Sequence, residues 1–184
     1  MKMLILASAS PRRIEILKKW GFKFKSVKAI FREKTFPSPE KTALYNAYGK
    51  AFSVAKAHKQ KVVIGADTIV VIENKILGKP KDKKELNSML NLLSGKTHYV
   101  ITGLAVIKGE NFVTDLCKTE VGFRELSKRE IEEYIKSGEG EDKAGGYAVQ
   151  GIGASFINKI NGPLDNVIGL PVNTLRELIK KIER

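Results

Sequence analysis

"VVIGADTIVVI", residues 62–72, is the longest apolar strand pattern in the chain and holds one ionisable group, Asp67. Glu73-Asn74-Lys75 follows as a turn. Alternation along a strand sends Asp67 and Thr68 to opposite faces. An unpaired carboxylate is costly to bury, so Asp67 requires hydrogen-bond donors, a cation or a metal. Two readings follow: a structural aspartate satisfied by local backbone donors, or a metal ligand or general base.

Working outward, strands and helices alternate in the first half. Met3–Ala7 reads as a buried strand. Ser10 caps a helix with Pro11 at its first position, and Gly21 ends it. Ser38-Pro39-Glu40 opens a second helix, with Ala43, Ala47, Ala51 and Val54 along one stripe. Asp82 starts a third, with Leu86, Met89, Leu90 and Leu93 on one face. Two strands follow, Tyr99–Ile107 and about Phe112–Phe123, expected to be antiparallel across Lys108-Gly109-Glu110. Ser127 and Glu130 have capping-box spacing for a helix ending near Ser137. After the glycine-rich "SGEGEDKAGGYAVQGIG" (137–153) come a strand over Phe156–Ile160 and an amphipathic helix from Val172. The pattern predicts an α/β or α+β fold with a mixed sheet, kept as one domain over 1–184.

Composition bounds the function. The chain has 184 residues and 42% hydrophobic content, enough for a sizeable core. Its 33 basic and 20 acidic residues give a net charge of +13, which favours anionic partners. The competing reading is a lysine-rich solvated shell. Cys117 is the single cysteine, so no intrachain disulfide forms, and a small buried apolar role is expected for it. The first residues lack a signal-peptide pattern and no apolar run has membrane length, so a reduced, cytoplasmic protein is expected. With one cysteine and only His58 and His98, cysteine-rich and three-histidine zinc sites are excluded. Any metal site would be oxygen-ligated, for Mg²⁺ or Mn²⁺. Each histidine is expected at the surface or in packing.

"LILASASPRR" (4–13) puts Arg12 and Arg13 in the first turn of a helix, where positive charge opposes the helix dipole. A bound anion would reverse that sign. Otherwise the arginines extend into water or pair with carboxylates. "SGKT" (94–97) imitates a P-loop ending, but Leu90 stands at the required glycine and a strand follows, so Gly95 is read as a helix stop. Lys50 lies on the alanine stripe, either snorkelling or reaching a phosphate. Lys79 in "LGKP" and Lys143 in "DKAG" lie in loops.

Taken in order, "LASASPRR", "GADTIVV", "LGKP", "LSGKTHYVITGLAV", "FRELS" with "EIEEYI", "GEGEDKAGGYAVQG" and "NVIGLP" resemble the Maf family of nucleoside triphosphate pyrophosphatases, from Leu4 to about Pro171. The resemblance implies a fold similar to inosine triphosphate pyrophosphatases: an elongated mixed sheet flanked by helices, in two lobes with a central cleft. It implies hydrolysis of a nucleotide to its monophosphate and pyrophosphate, a divalent metal cation (Mg²⁺ or Mn²⁺), and a homodimer. Carried over by residue, Asp67 is the proton acceptor, and Glu33 and Asp67 hold the metal. Lys50 and Lys79 are catalytic residues on the phosphates. Ser8, Arg12 and Arg13 form a phosphate-facing, substrate-binding loop. Thr68 and Gln150 recognise the base, and with Arg12 they resemble the dTTP/UTP type. Arg32-Glu33 stands where relatives usually have Asp-Glu. Gly140 replaces a common proline, so a more mobile loop is expected there.

The expected chemistry is metal-assisted hydrolysis of a phosphoanhydride. A basic nucleic-acid-binding protein is the rival reading. It rests on charge alone, with no recognition helix, zinc knuckle or RNP aromatic pattern. A nucleotide-binding regulator without catalysis is a third.

Overall fold

A computed structural model describes residues 3–184. The elements run β1 (Leu4–Leu6), α1 (Pro11–Lys19), β2 (Phe24–Ser26), α2 (Pro39–Ala55), β3 (Val63–Ile72), β4 (Lys75–Leu77), α3 (Lys83–Leu93) and β5 (Thr97–Lys108). Then come β6 (Asn111–Phe123), α4 (Lys128–Ser137), β7 (Ile157–Asn161), α5 (Leu164–Ile168) and α6 (Val172–Glu183). Short 3₁₀ turns occupy Ala144–Gly146 and Ile152–Phe156. The strands β2, β4 and the helix α5 were not expected from sequence; at three to five residues each, they carry too little periodicity to read.

The seven strands form one mixed sheet in the order β2-β1-β3-β5-β6-β7, with β4 paired to β3. β1 runs parallel to both β2 and β3, while β4 pairs antiparallel with β3 and β7 with β6. β5 and β6 are neighbours joined only by Gly109 and Glu110, a connection that antiparallel strands alone permit. The β3–β4 turn puts Glu73 at φ 49° and Asn74 at φ 62°, the left-handed pair a two-residue hairpin needs.

Helix starts follow their caps. Ser38 accepts from Lys41 N, Asp82 from Glu85 N, and Ser127 with Glu130 completes the expected capping box. Ser10 is a correction. It occupies the cap position of α1, but its side chain makes no capping bond, and its own N–H donates to Ser8 Oγ at 3.2 Å.

The chain divides into two compact units. The first comprises the chain up to Thr68, Thr102–Cys117 and Gly169–Arg184. The second comprises Ile69–Ile101 and Lys118–Ile168, so β3, β5 and β6 contribute residues to both. In the first unit, the small residues of α2 let the helix lie unusually close to the sheet. A Cβ at Gly65 would collide with Ala47 O, and one at Gly103 with the Ala43 backbone. Ala47, Ala51, Val54, Val63 and Ala105 form the core there. The second unit packs Leu86, Leu90 and Leu93 of α3 against Val70, Val100, Phe123 and Tyr134. Cys117 is half-buried rather than fully buried, because β6 is only partly covered along that stretch.

Candidate active site

Asp67 is 5% exposed and faces α2. Its Oδ1 accepts from Lys50 Nζ at 2.6 Å, and its Oδ2 from Asn46 Nδ2 at 3.2 Å. Lys50 Nζ also lies 2.6 Å from Glu33 Oε1, so two carboxylates converge on one ammonium. Asn46 and Lys50 are one helical turn apart, hence on one face. Lys50 therefore neither snorkels nor stands alone. It is ion-paired from within the helix stripe.

Glu33 sits on an irregular segment that α2 pins in place. Asn46 Oδ1 accepts from Lys34 N at 2.9 Å, and its Nδ2 donates to Lys34 O at 3.1 Å. One turn earlier, Thr42 Oγ1 accepts from Phe36 N at 2.9 Å. Gly49 leaves the room that the Phe31 ring occupies. Sequence reading missed Thr42 and Asn46. Their signal was a polar i, i+4 series, Thr42–Asn46–Lys50, along an otherwise alanine-rich helix.

On the other side of β3, Thr68 joins a second network. Arg13 Nη2 donates to Thr68 Oγ1 at 3.1 Å, Nη1 to Ser8 Oγ at 3.4 Å, and Nε to Gly169 O at 2.9 Å. Thr68 and Thr102 share a hydroxyl bond of 2.9 Å. The expected split of Asp67 and Thr68 between faces is thus borne out by their partners. Within the chain Arg13 donates to neutral oxygens rather than pairing with a carboxylate. Burial lowers its pKa, and the charges of Asp67 and Glu33 oppose that shift. Arg12 lies beside it in the first turn of α1 and is half-buried.

Ser8, Arg12, Arg13, Glu33, Lys50, Asp67 and Thr68 all belong to the first unit, and Lys79 and Gln150 to the second. Lys79 and Gln150 are exposed. The Lys79 loop is tied to the glycine-rich segment by Gly145 N donating to Gly78 O at 3.0 Å. Lys143 Nζ donates to Glu139 O at 2.7 Å and pairs with Asp142. Gly140 is explained by contact: a Cβ there would collide with Gly146 O. His98 is a packing residue as expected, fully buried and edge-on to Phe123 and Tyr147.

The donor set fits a hard dication. Glu33 and Asp67 offer only carboxylate oxygens, converging on a single cationic atom. Among the described residues, no group of three or more His, Cys, Asp or Glu side chains could hold a metal ion. Mg²⁺ is commonly held by only one or two carboxylates together with substrate phosphates and water.

A family model described as "Maf-like protein" matches residues 3–182. The chain belongs to the Maf family. Three Maf relatives, each named dTTP/UTP pyrophosphatase, cover nearly the full length. That of Aquifex aeolicus is 47% identical over 182 residues, spanning 97% of this chain and 95% of its own. That of Bacillus cytotoxicus is 45% identical over 185 residues, spanning 100% and 97%. That of Thermoanaerobacter sp. (strain X514) is 44% identical over 182 residues, spanning 97% and 95%. Among solved structures, the Ham1 protein of Staphylococcus aureus aligns over 98% of this Maf chain and 96% of its own, with a TM-score of 0.53 and 16% identity. At that identity it shares the fold.

Proposed function

We propose that this Maf protein hydrolyses dTTP and UTP, cleaving the bond between the α- and β-phosphates to give the nucleoside monophosphate and pyrophosphate. The observation that carries the reading is the buried Asp67 carboxylate, held by Lys50 and Asn46 and flanked by Glu33. The full-length relatives with dTTP/UTP pyrophosphatase names support the substrate class.

In this reading Asp67 accepts the proton of the attacking water. Asn46 and Lys50 fix the orientation of that carboxylate. Glu33 and Asp67 would hold Mg²⁺ or Mn²⁺, whose chemistry when bound is to neutralise phosphate charge and acidify water. Lys50, Lys79, Arg12 and Arg13 offset the charge on the phosphates as the bond breaks, with Ser8 in the same loop. Arg13 also fixes the Thr68 hydroxyl, and Thr68 and Gln150 read the pyrimidine base. A homodimer belongs to the same reading through the family resemblance, and a cytoplasmic setting through the sequence expectation.

Pyrophosphate release from a panel of dTTP, UTP, CTP, their 5-methylated forms, GTP, 7-methyl-GTP and ITP tests the proposal, with Mg²⁺, Mn²⁺ or chelator. Metal-dependent release led by dTTP and UTP is expected. Release led by another base overturns the specificity. No release from any nucleotide overturns the activity.

A further inference from the structure

Glu139 takes no part in the chemistry above, yet its carboxylate accepts three hydrogen bonds, two of them from main-chain amides of the glycine-rich segment. Gly138 ends α4 in the left-handed conformation, at φ 74°, and turns Glu139 out of the helix. Glu139 Oε2 then accepts from Ile152 N at 2.8 Å, and Oε1 from Gly153 N at 2.9 Å. Tyr134 OH donates to Oε1 at 3.3 Å. The main chain of Glu139 is held too: its N–H donates to Ser137 Oγ at 3.2 Å, and its carbonyl accepts from Lys143 Nζ at 2.7 Å.

The two gripped amides lie immediately beyond Gln150-Gly151. Gly151 adopts φ 104°, and a Cβ there would meet the Glu139 carboxylate at 2.5 Å. On the near side, Tyr147 OH bonds His98 Nε2 at 2.7 Å. The segment bearing Gln150 is therefore fastened three residues before it and two residues after it, while Gln150 itself stays exposed. Hydrogen bonds to an ionised carboxylate are roughly twice as strong as neutral ones, so the Glu139 grip is the firmer of the two.

We infer that Glu139 is a positioning residue for base selection: its carboxylate clamps the Ile152 and Gly153 amides and so sets where Gln150 presents its amide to the nucleotide base. The inference rests on the reading above, in which Gln150 recognises a pyrimidine.

Glu139→Ala, Glu139→Gln, Gln150→Ala and the Glu139→Ala/Gln150→Ala double variant are compared with the unmodified chain. The measurements are kcat and KM for UTP, CTP and GTP, and amide hydrogen exchange over residues 150–153. Expected for Glu139→Ala is a KM for UTP raised about tenfold with kcat held within about threefold, the split that lost ground-state positioning gives. Preference for UTP over GTP falls by about tenfold, exchange at Ile152 and Gly153 accelerates, and the double variant is no worse than Gln150→Ala, as coupled residues require. Glu139→Gln, whose one carbonyl oxygen satisfies one of the two amides, lies between Ala and the original, and it carries the test if the Ala variant does not fold. Unchanged KM and preference in Glu139→Ala, with preference lost in Gln150→Ala, overturns the inference and leaves the base reading standing. Additive effects in the double variant, or unchanged exchange, also overturn it. Unchanged preference in Gln150→Ala overturns the base reading and the inference with it.

Discussion

The Lys50 ammonium stands 2.6 Å from Asp67 Oδ1 and neutralises the one carboxylate of β3. Both side chains are largely shielded, at 15% and 8% exposure, so removing the cation leaves a desolvated charge behind. Lys50→Met is expected to lower stability by about 1–3 kcal/mol and to depress pyrophosphate release. Urea unfolding midpoints and release assays on the same preparation check both.

Asp67→Asn keeps the shape of the side chain and removes its basicity. Turnover is expected to fall at least about a hundredfold, the range of a lost general base. The variant should still melt cooperatively. Release at the original rate would remove Asp67 from the chemistry.

Asn46→Leu strips a donor from Asp67 and both partners from the Lys34 backbone. Unsatisfied buried groups of this kind cost about 1–3 kcal/mol. Loss of activity should exceed loss of stability, because Glu33 rides on the released segment. Guanidinium melts set beside kcat discriminate the two.

His98 introduces a pH dependence remote from the chemistry. Burial lowers its pKa from 6.5 to about 4, and its Nδ1 lacks a hydrogen-bond partner. The unfolded chain thus binds the proton more readily than the folded one between those values. Stability is full above pH 6.5 and declines as pH falls towards 4, by up to about 3 kcal/mol. A His98→Phe variant should lose that component, which denaturant titrations at pH 7.5, 6 and 5 will reveal.

Gly65→Val brings a branched side chain against the Ala47 carbonyl. Overpacking of this kind costs about 1–3 kcal/mol or more. Gly78, where an added Cβ meets nothing within 4 Å, is the control position for an alanine substitution expected to be neutral.

The parts of the fold legible in the sequence were those with long periodicity or explicit punctuation. β3, β5 and β6 announced themselves by length, and Ser38, Asp82 and Ser127 by capping chemistry. β2 and β4 stayed hidden because three residues held by neighbouring strands carry no pattern of their own. Asp67 was conspicuous as a lone charge in an apolar strand, but its partners came from a helix 17 and 21 residues earlier, a distance that no local rule spans. Arg13 was visible as an electrostatic misfit at a helix start. Its resolution, through the carbonyl of Gly169 at a separation of 156 residues, was beyond the reach of spacing.

The seating of α2 on Gly65 and Gly103 has a bearing on how this protein can drift. Asp67 and its counter-ion Lys50 come from different elements, and the gap between those elements is set by two missing side chains and a row of methyl groups. The floor of the helix is thus a mechanical stop. Substitutions that thicken it push Lys50 and Asn46 away from Asp67 together, so the ion pair and its amide brace loosen in one movement. Where α2 lies over Gly65 and Gly103, at Ala43, Ala47 and Ala51, there is accordingly room only for the smallest residues.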